Sequence, residues 1–166
     1  MDTTLYLAYG SNLLPARLAA RLSALTAVGV TELPGWRLCF HKLGTDGSGK
    51  CNLVADSNAV AHGALYQFSL DDKSRLDVIE GVGNGYTGKL IEVPDIGESY
   101  VYLADPAHID NRLVPYDWYH AFVASGARHH QFPPEYLAEI DSVATIRDPD
   151  ETRRTENLRI QHLGKL

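Results

Sequence analysis

Strand-like segments follow one another through the middle of the chain, and helical patterns are concentrated towards its end. The strand-like runs are rich in Val, Tyr and Leu, alternate in part, and are separated by Gly, Asn, Asp or Pro. They cover residues 27–33, 35–43, 51–55, 61–68, 86–93 and 99–104. Helical periodicity is found at 116–127, 134–143 and 150–163. Consecutive strands with segregated helices predict an α+β fold, built on a strongly curved mixed sheet or a small β-barrel.

Chain length, net charge and cysteine content limit the number of domains and the kinds of partner that this protein can have. A chain of 166 residues is expected to form a single domain. The net charge of −6 argues against nucleic acid as a partner, because binding phosphates needs a basic surface patch. We expect no signal peptide and no membrane span, and therefore a cytoplasmic protein. Cys39 and Cys51 form no C-x-x-C pair and are expected to be reduced thiols.

The segment "LYLAYGSNLLPARLAARL" (5–22) joins a predicted strand (4–9) to a predicted helix (13–25) through Gly10-Ser11-Asn12. Glycine allows the backbone to approach another group closely, and amide groups at the start of a helix are free to donate hydrogen bonds. Asn12 is a candidate cap, and Pro15 is compatible with a first helical turn. The segment therefore fits either a tight turn or a cradle for a ligand.

A second distinctive segment is "SLDDKSRLDVIEG" (69–81), which predicts a short helix capped by Ser69 and ended by Gly81. Glu80 lies at the end of this helix, near Leu76 and Ile79. A carboxyl group at the edge of an apolar surface has a raised pKa, which suits proton transfer near neutral pH. The alternative is an ordinary surface glutamate in the last turn.

Other motifs have weaker support. "GTDGSGKC" (44–51) resembles a phosphate-binding loop, but a strand-like run follows where that loop requires a helix. We interpret it as a hairpin loop. Cys39, His41 and Cys51 are a weak zinc candidate, because they are only three and lie on separate strands. Ser11 is predicted to form hydrogen bonds rather than act as a nucleophile, because it lies in no G-x-S-x-G elbow.

Three segments together resemble the γ-glutamylcyclotransferase superfamily. They are the turn "YGSNL", the pattern "LDVIEGVGNGY" about 70 residues downstream, and the block "VPYDWYHAFVASGARHHQFPPEYLAEI". The resemblance implies a small mixed β-barrel or curved sheet with flanking helices. It covers the chain to about residue 143, so about 145–166 is expected to be a C-terminal helical extension of one domain, 1–166.

The resemblance also assigns roles to individual residues. It implies that Glu80 is the general acid and base, and that Tyr119 and Tyr86 contact the substrate. The substrate-binding turn corresponds to eight consecutive residues: Tyr6, Leu7, Ala8, Tyr9, Gly10, Ser11, Asn12 and Leu13. No metal and no cofactor is implied, and the family is compatible with a homodimer.

The activity implied by the resemblance is cyclisation of a γ-glutamyl group to 5-oxoproline, with release of an amino acid or amine. The turn reads "YGSN", which is nearer to the branch that acts on γ-glutamyl amino acids. Two alternatives stay open. The same pocket could act on a γ-glutamyl amine, peptide or biosynthetic intermediate, or it could bind γ-glutamyl compounds without turnover.

Overall fold

The computed structural model describes residues 2–163, which form an open mixed sheet with helices packed around it. The strands are β1 (Thr3–Ala8), β2 (Thr26–Leu43), β3 (Gly49–Ser69), β4 (Tyr86–Val93) and β5 (Gly97–Ala104). The helices are α1 (Pro15–Ala19), α2 (Leu70–Glu80), α3 (Asp117–His129), α4 (Pro134–Asp141) and α5 (Glu151–Leu163). Short 3-10 turns occupy Ser11–Leu13 and Pro106–His108.

The five strands lie in the order β2-β3-β1-β5-β4, so β1 is central and β2 and β4 are the edges. The β1–β5 pair is parallel and the other pairs are antiparallel. The predicted α+β class and curved mixed sheet are confirmed, and of the two predicted forms the structure has the open sheet rather than a closed barrel. The central position of β1 brings the turn that follows it to the middle of the molecule.

Two pairs of predicted strands are single long strands, and one of these pairs, 51–55 and 61–68, is part of β3. Residues 27–33 and 35–43 are both part of β2, although Pro34 lies between them and Gly35 begins the second run. The ladder with β3 shifts register between Pro34 and Trp36, and this bulge accommodates Gly35 at a φ of 83°. β2 is an edge strand, which is where a proline without an N–H is tolerated.

The predicted helix over 13–25 is much shorter in the structure. α1 ends at Ala19, and the following residues form turns. The N–H groups of Ser23 and Ala24 donate to the carboxylate of Asp72 on α2, at 2.9 and 3.4 Å. A contact with a distant element therefore replaces the continuation of the helix.

The predicted helix over 69–81 is confirmed with both of its ends. The Ser69 hydroxyl accepts a hydrogen bond from the N–H of Asp72, and Gly81 ends α2 in the left-handed conformation at a φ of 75°. The segment 44–48 is a hairpin loop between β2 and β3, as predicted. None of the helices in residues 2–163 is long and apolar enough to cross a membrane.

Helix α3 packs directly against the turn that follows β1. A Cβ atom on Gly126 would lie 2.5 Å from the Leu13 Cβ and 2.6 Å from the Leu14 nitrogen, closer than any real contact. The absence of a side chain at Gly126 therefore allows the helix and the turn to touch. Phe122 on the same helix is fully buried, and the Arg17 guanidinium lies 4.2 Å from its ring centroid.

The buried carboxylate of Asp148 attaches the chain after residue 145 to Trp118 on α3. Asp148 is fully buried and accepts hydrogen bonds from Trp118 Nε1 at 2.7 Å and from Arg153 at 2.7 and 2.6 Å. These hydrogen bonds, with Arg153 first among them, lower the pKa of Asp148 to about 2. The C-terminal helical segment is therefore anchored next to the helix that supports the turn.

Substituting Gly126 by Ala should destabilise the protein, because the new methyl group must displace the turn. We expect the free energy of unfolding to fall by about 1–3 kcal/mol. Gly29→Ala is the control, since nothing lies within 4 Å of the position of its Cβ, and its effect should be within about 0.5 kcal/mol. Urea denaturation measures both. Equal effects of the two substitutions would contradict the close approach.

Substituting Asp148 by Asn should lower the free energy of unfolding by about 2–3 kcal/mol near neutral pH, because hydrogen bonds to a charged group are lost. The pKa of Asp148 is depressed in the folded state, so its contribution exists above its unfolded pKa of about 4 and disappears as the pH falls through about 2. The difference between the two proteins should therefore close between about pH 4 and pH 2. Asp141→Asn, in an exposed pair with Arg128, should cost about 0.5 kcal/mol or less at any pH.

Candidate active site

The turn after β1 and the end of α2 meet at the centre of the molecule. Asn12 lies in the 3-10 turn, and Glu80 is the last residue of α2. The Asn12 side-chain amide donates a hydrogen bond to Glu80 Oε1 at 3.0 Å and lies the same distance from the Tyr6 hydroxyl. Residues 68 positions apart in sequence are thereby joined through one amide group.

Arg21, which belongs to no recognisable sequence motif, completes this contact. Its guanidinium donates to Glu80 Oε1 at 2.5 Å and to Asn12 Oδ1 at 3.1 Å. Both members of the Arg21–Glu80 ion pair are about one-fifth exposed. The surroundings of Glu80 therefore differ from the apolar ones expected from Leu76 and Ile79, and Ile79 itself is 44% exposed.

Both hydrogen bonds to the carboxylate use one oxygen. Within residues 2–163, no group donates to Glu80 Oε2. Two donors on Oε1 fix the orientation of the carboxylate, and Oε2 keeps its capacity to accept a proton. Glu80 lines a cavity together with Tyr6, Tyr9, Gly10, Ser11, Asn12, Cys51, Tyr86, Tyr102 and Tyr119.

Three of the five tyrosines that line this cavity form hydrogen bonds with backbone groups through their hydroxyls. Tyr86 donates to the carbonyl oxygen of Cys51 at 2.6 Å, and the Tyr119 hydroxyl accepts from the N–H of Cys51 at 3.0 Å. Tyr9 donates to the carbonyl oxygen of Tyr102 at 2.5 Å. Burial raises the pKa of Tyr9, Tyr86 and Tyr119 well above the usual value, so these hydroxyls stay neutral. They shape the cavity and do not act as bases.

Gly10 is necessary for the closeness of the turn to β3. A Cβ atom at this position would lie 2.8 Å from Cys51 Cβ and 3.6 Å from the Tyr119 hydroxyl oxygen. Cys51 itself is buried, and burial raises the pKa of its thiol to about 12. The thiol is therefore protonated at neutral pH and is not a nucleophile.

Ser11 has a partner that cannot activate it. Its Oγ accepts a hydrogen bond from Arg17 Nε at 3.0 Å, and a guanidinium does not remove a proton from a hydroxyl. The N–H groups of Ser11 and Asn12 begin the 3-10 turn and have no acceptor within it. The geometry agrees with the predicted hydrogen-bonding role.

The structure brings most of the predicted site residues together. Tyr6, Tyr9, Gly10, Ser11, Asn12, Glu80, Tyr86 and Tyr119 all line the same cavity. Three others do not line it: Leu7, Ala8 and Leu13 are fully buried in the core. Leu7 points away from the cavity because successive residues of a strand point to opposite faces, and the short 3-10 turn directs Leu13 towards α3.

The candidate zinc ligands do not converge. His41 contacts Asn111 at 2.7 Å and Asn52 at 3.1 Å, whereas Cys39 contacts the Arg37 guanidinium. Between Asp2 and Leu163, no three His, Cys, Asp or Glu side chains are grouped as metal ligands. These residues are therefore explained by their own local contacts.

Comparison with known proteins identifies the family of this chain. The sequence model of the family described as gamma-glutamyl cyclotransferase, AIG2-like, matches residues 6–121. The chain belongs to this family. The matched range includes the β1 turn, Glu80, Tyr86 and Tyr119. A search of curated proteins gave no match.

Solved structures share the γ-glutamylcyclotransferase-like fold. A structure described as a gamma-glutamyl cyclotransferase is similar with a TM-score of 0.81 and 21% identity, over 99% of both chains. An uncharacterized human protein gives a TM-score of 0.81 at 21% identity over 100% of both chains. YkqA of Bacillus subtilis gives 0.72 at 19% identity, over 88% of this chain and 57% of that one. At these identities the similarity establishes the fold.

The two thiols should differ in reactivity, because only Cys51 is fully enclosed. In the native protein at about pH 8 we expect iodoacetamide to modify Cys51 at least about 10-fold more slowly than Cys39, which is partly exposed. Mass spectrometry of peptides gives both rates. In denaturant the two rates should become similar, and fast native modification of Cys51 would contradict the burial of its thiol.

Proposed function

We propose that this protein cyclises a γ-glutamyl group to 5-oxoproline and releases the attached amino acid or amine, with Glu80 carrying the protons. Membership of the family supports the general activity. The observation that carries the residue assignment is the Glu80 carboxylate, held on Oε1 by Asn12 and Arg21, with Oε2 unoccupied by any protein donor in residues 2–163. The tyrosine-walled cavity beside it would hold the γ-glutamyl group.

The reaction forms one C–N bond and breaks another. The α-nitrogen of the γ-glutamyl group attacks its own γ-carbonyl carbon, and the bond from that carbon to the leaving nitrogen then breaks. The α-nitrogen loses two protons and the leaving nitrogen gains two when it departs as an ammonium group. A single carboxylate can carry these protons in turn from one nitrogen to the other, which is the role we assign to Glu80.

Orientation supplies a further part of the rate. The attack is intramolecular, so a cavity that holds the substrate folded places the α-nitrogen close to the carbonyl carbon. The ring faces of Tyr86 and Tyr119 are held rigidly because both hydroxyls are bonded to the Cys51 peptide groups. Negative charge on the carbonyl oxygen of the tetrahedral intermediate would be stabilised by N–H groups of the Gly10–Asn12 turn.

Arg21 is a positioning residue in this mechanism. It contacts Glu80 Oε1 and Asn12 Oδ1, and so keeps both side chains in one arrangement. Both contacts fall on Oε1, so they leave Oε2 directed away from Arg21 and open to substrate. Oε2 is then the atom that takes the first proton.

Glu80→Gln should abolish turnover but preserve the fold, because the amide oxygen can still accept from Asn12 and Arg21. We expect the rate of 5-oxoproline release from γ-glutamyl amino acids to fall by about 10²–10⁴-fold. Chromatographic detection of 5-oxoproline measures the rate, and a thermal melt reports on folding. Glu156→Gln, at an exposed position of α5, is the matched control and should leave the rate unchanged.

Two outcomes would overturn this proposal. A Glu80→Gln protein with nearly normal turnover would mean that another group carries the protons. Binding of γ-glutamyl compounds by the unaltered protein without formation of 5-oxoproline would indicate a binding module instead.

A further inference from the structure

A larger cavity adjoins the tyrosine-walled one and opens outward from Glu80. It has a volume of about 420 Å³ and shares Ser11, Glu80, Tyr86 and Tyr119 with the inner cavity. We call it the outer chamber. Since Glu80 lines both cavities, a substrate with its γ-glutamyl group inside would extend its leaving group into the outer chamber.

The outer chamber is positively charged, although the chain as a whole carries a net charge of −6. Its lining includes four cationic side chains, Arg17, Arg21, Lys42 and Lys50, and two carboxylates, Asp46 and Glu80. Two of the cations are neutralised within the protein. Arg21 pairs with Glu80 at 2.5 Å, and Lys50 pairs with Asp46 at 2.7 Å.

The other two cations differ from each other. Arg17 already has neutral partners, the Ser11 hydroxyl at 3.0 Å and the Asn157 amide oxygen at 3.1 Å. Lys42 is only 4% exposed, yet its ammonium group has no hydrogen bond and no ion pair within residues 2–163. Its nitrogen lies 4.4 Å from the centroid of the Tyr86 ring, a cation–π contact that supplies no counter-charge.

The backbone conformation of β2 and of Gly85 positions Lys42 in the wall of the outer chamber. The β2–β3 ladder shifts register between Cys39 and Lys42, at a bulge that changes the direction of the following side chain. A Cβ atom on Gly85 would lie 2.8 Å from Lys42 Nζ, so the glycine makes room for the ammonium group. Burial lowers the pKa of Lys42, and the carboxylates of Glu80, Asp105 and Asp46 partly oppose this from a distance.

The Lys42 side chain is buried in the wall of the outer chamber, and its ammonium group, which forms no ion pair among the described residues, can bind an anionic group that enters the chamber. Building on the proposed function, we propose that Lys42 binds a carboxylate on the leaving group, so that the preferred substrates are γ-glutamyl amino acids or peptides rather than γ-glutamyl amines. In a γ-glutamyl amino acid this carboxylate is separated from the leaving nitrogen by a single carbon. It would therefore enter the outer chamber directly beyond Glu80.

The carboxylate of the γ-glutamyl group itself is the competing ligand. Lys42 lines the outer chamber but not the inner cavity, where the γ-glutamyl group would lie beside the Gly10–Asn12 turn. The two ligands are distinguishable. Every γ-glutamyl compound has the carboxylate of the γ-glutamyl group, whereas only some have a carboxylate on the leaving group.

The test compares γ-glutamylalanine with γ-glutamylethylamine, which differ only in the carboxylate of the leaving group. Lys42→Met removes the charge and keeps the length of the side chain. It should raise KM for γ-glutamylalanine roughly 10- to 100-fold, the equivalent of one charge-assisted hydrogen bond. KM for γ-glutamylethylamine should change less than about 2-fold on the same reasoning. Lys89→Met, at an exposed lysine of β4, is the control and should affect neither substrate.

Two other results would contradict the proposed role of Lys42. An equal loss with both substrates would place Lys42 on the shared γ-glutamyl part and overturn the inference, and so would no loss with either. Lys42→Arg, which keeps the charge, should retain most of the preference for γ-glutamylalanine.

If the unaltered protein releases no 5-oxoproline from either compound, the proposed function fails separately. Calorimetric binding of the same two compounds then decides the inference. If Lys42→Met binds γ-glutamylalanine more weakly than the unaltered protein does, and binds γ-glutamylethylamine equally well, the inference is supported. Unchanged binding of γ-glutamylalanine would overturn the inference.

Discussion

The contact on which the site depends is the one between Asn12 and Glu80. It joins the turn after the central strand β1 to the last residue of α2, two segments that no regular secondary structure connects. Arg21 bonds to both side chains and so makes the arrangement a closed group of three. The orientation of one carboxylate, and with it the proposed proton transfer, follows from this small set of hydrogen bonds.

The rest of the fold holds the turn in place from several sides. Gly126 lets α3 touch the turn directly, and Gly10 lets the turn approach Cys51 on β3. The hydroxyls of Tyr86 and Tyr119 clamp the Cys51 peptide groups from β4 and α3. The two glycines allow close packing around the turn, and the two tyrosines fix the neighbouring strand by hydrogen bonds. Both effects make the cavity rigid.

Charge separates the two halves of the site. The inner cavity is lined by neutral tyrosines and a single carboxylate, whereas the outer chamber has two more cations than carboxylates. Such a division suits a reaction in which one part of the substrate is enclosed and reshaped while the other part leaves. In our proposal, discrimination between leaving groups depends on one ammonium group of the outer chamber, that of Lys42.

Local signals in the sequence were sufficient for the elements whose ends depend on neighbouring residues. The Ser69 cap and the Gly81 stop determine α2, because both act through hydrogen bonds and backbone angles within a few residues. The order of strands and helices likewise indicated the α+β class, and resemblance to known motifs assigned Glu80 and the turn to one site.

The tertiary structure decided the features that depend on distant contacts. Helix α1 ends early because the carboxylate of Asp72 accepts hydrogen bonds from the N–H groups of Ser23 and Ala24. Arg21 and Lys42 carry no local pattern, since a cation acquires its role only from the charges that folding places around it.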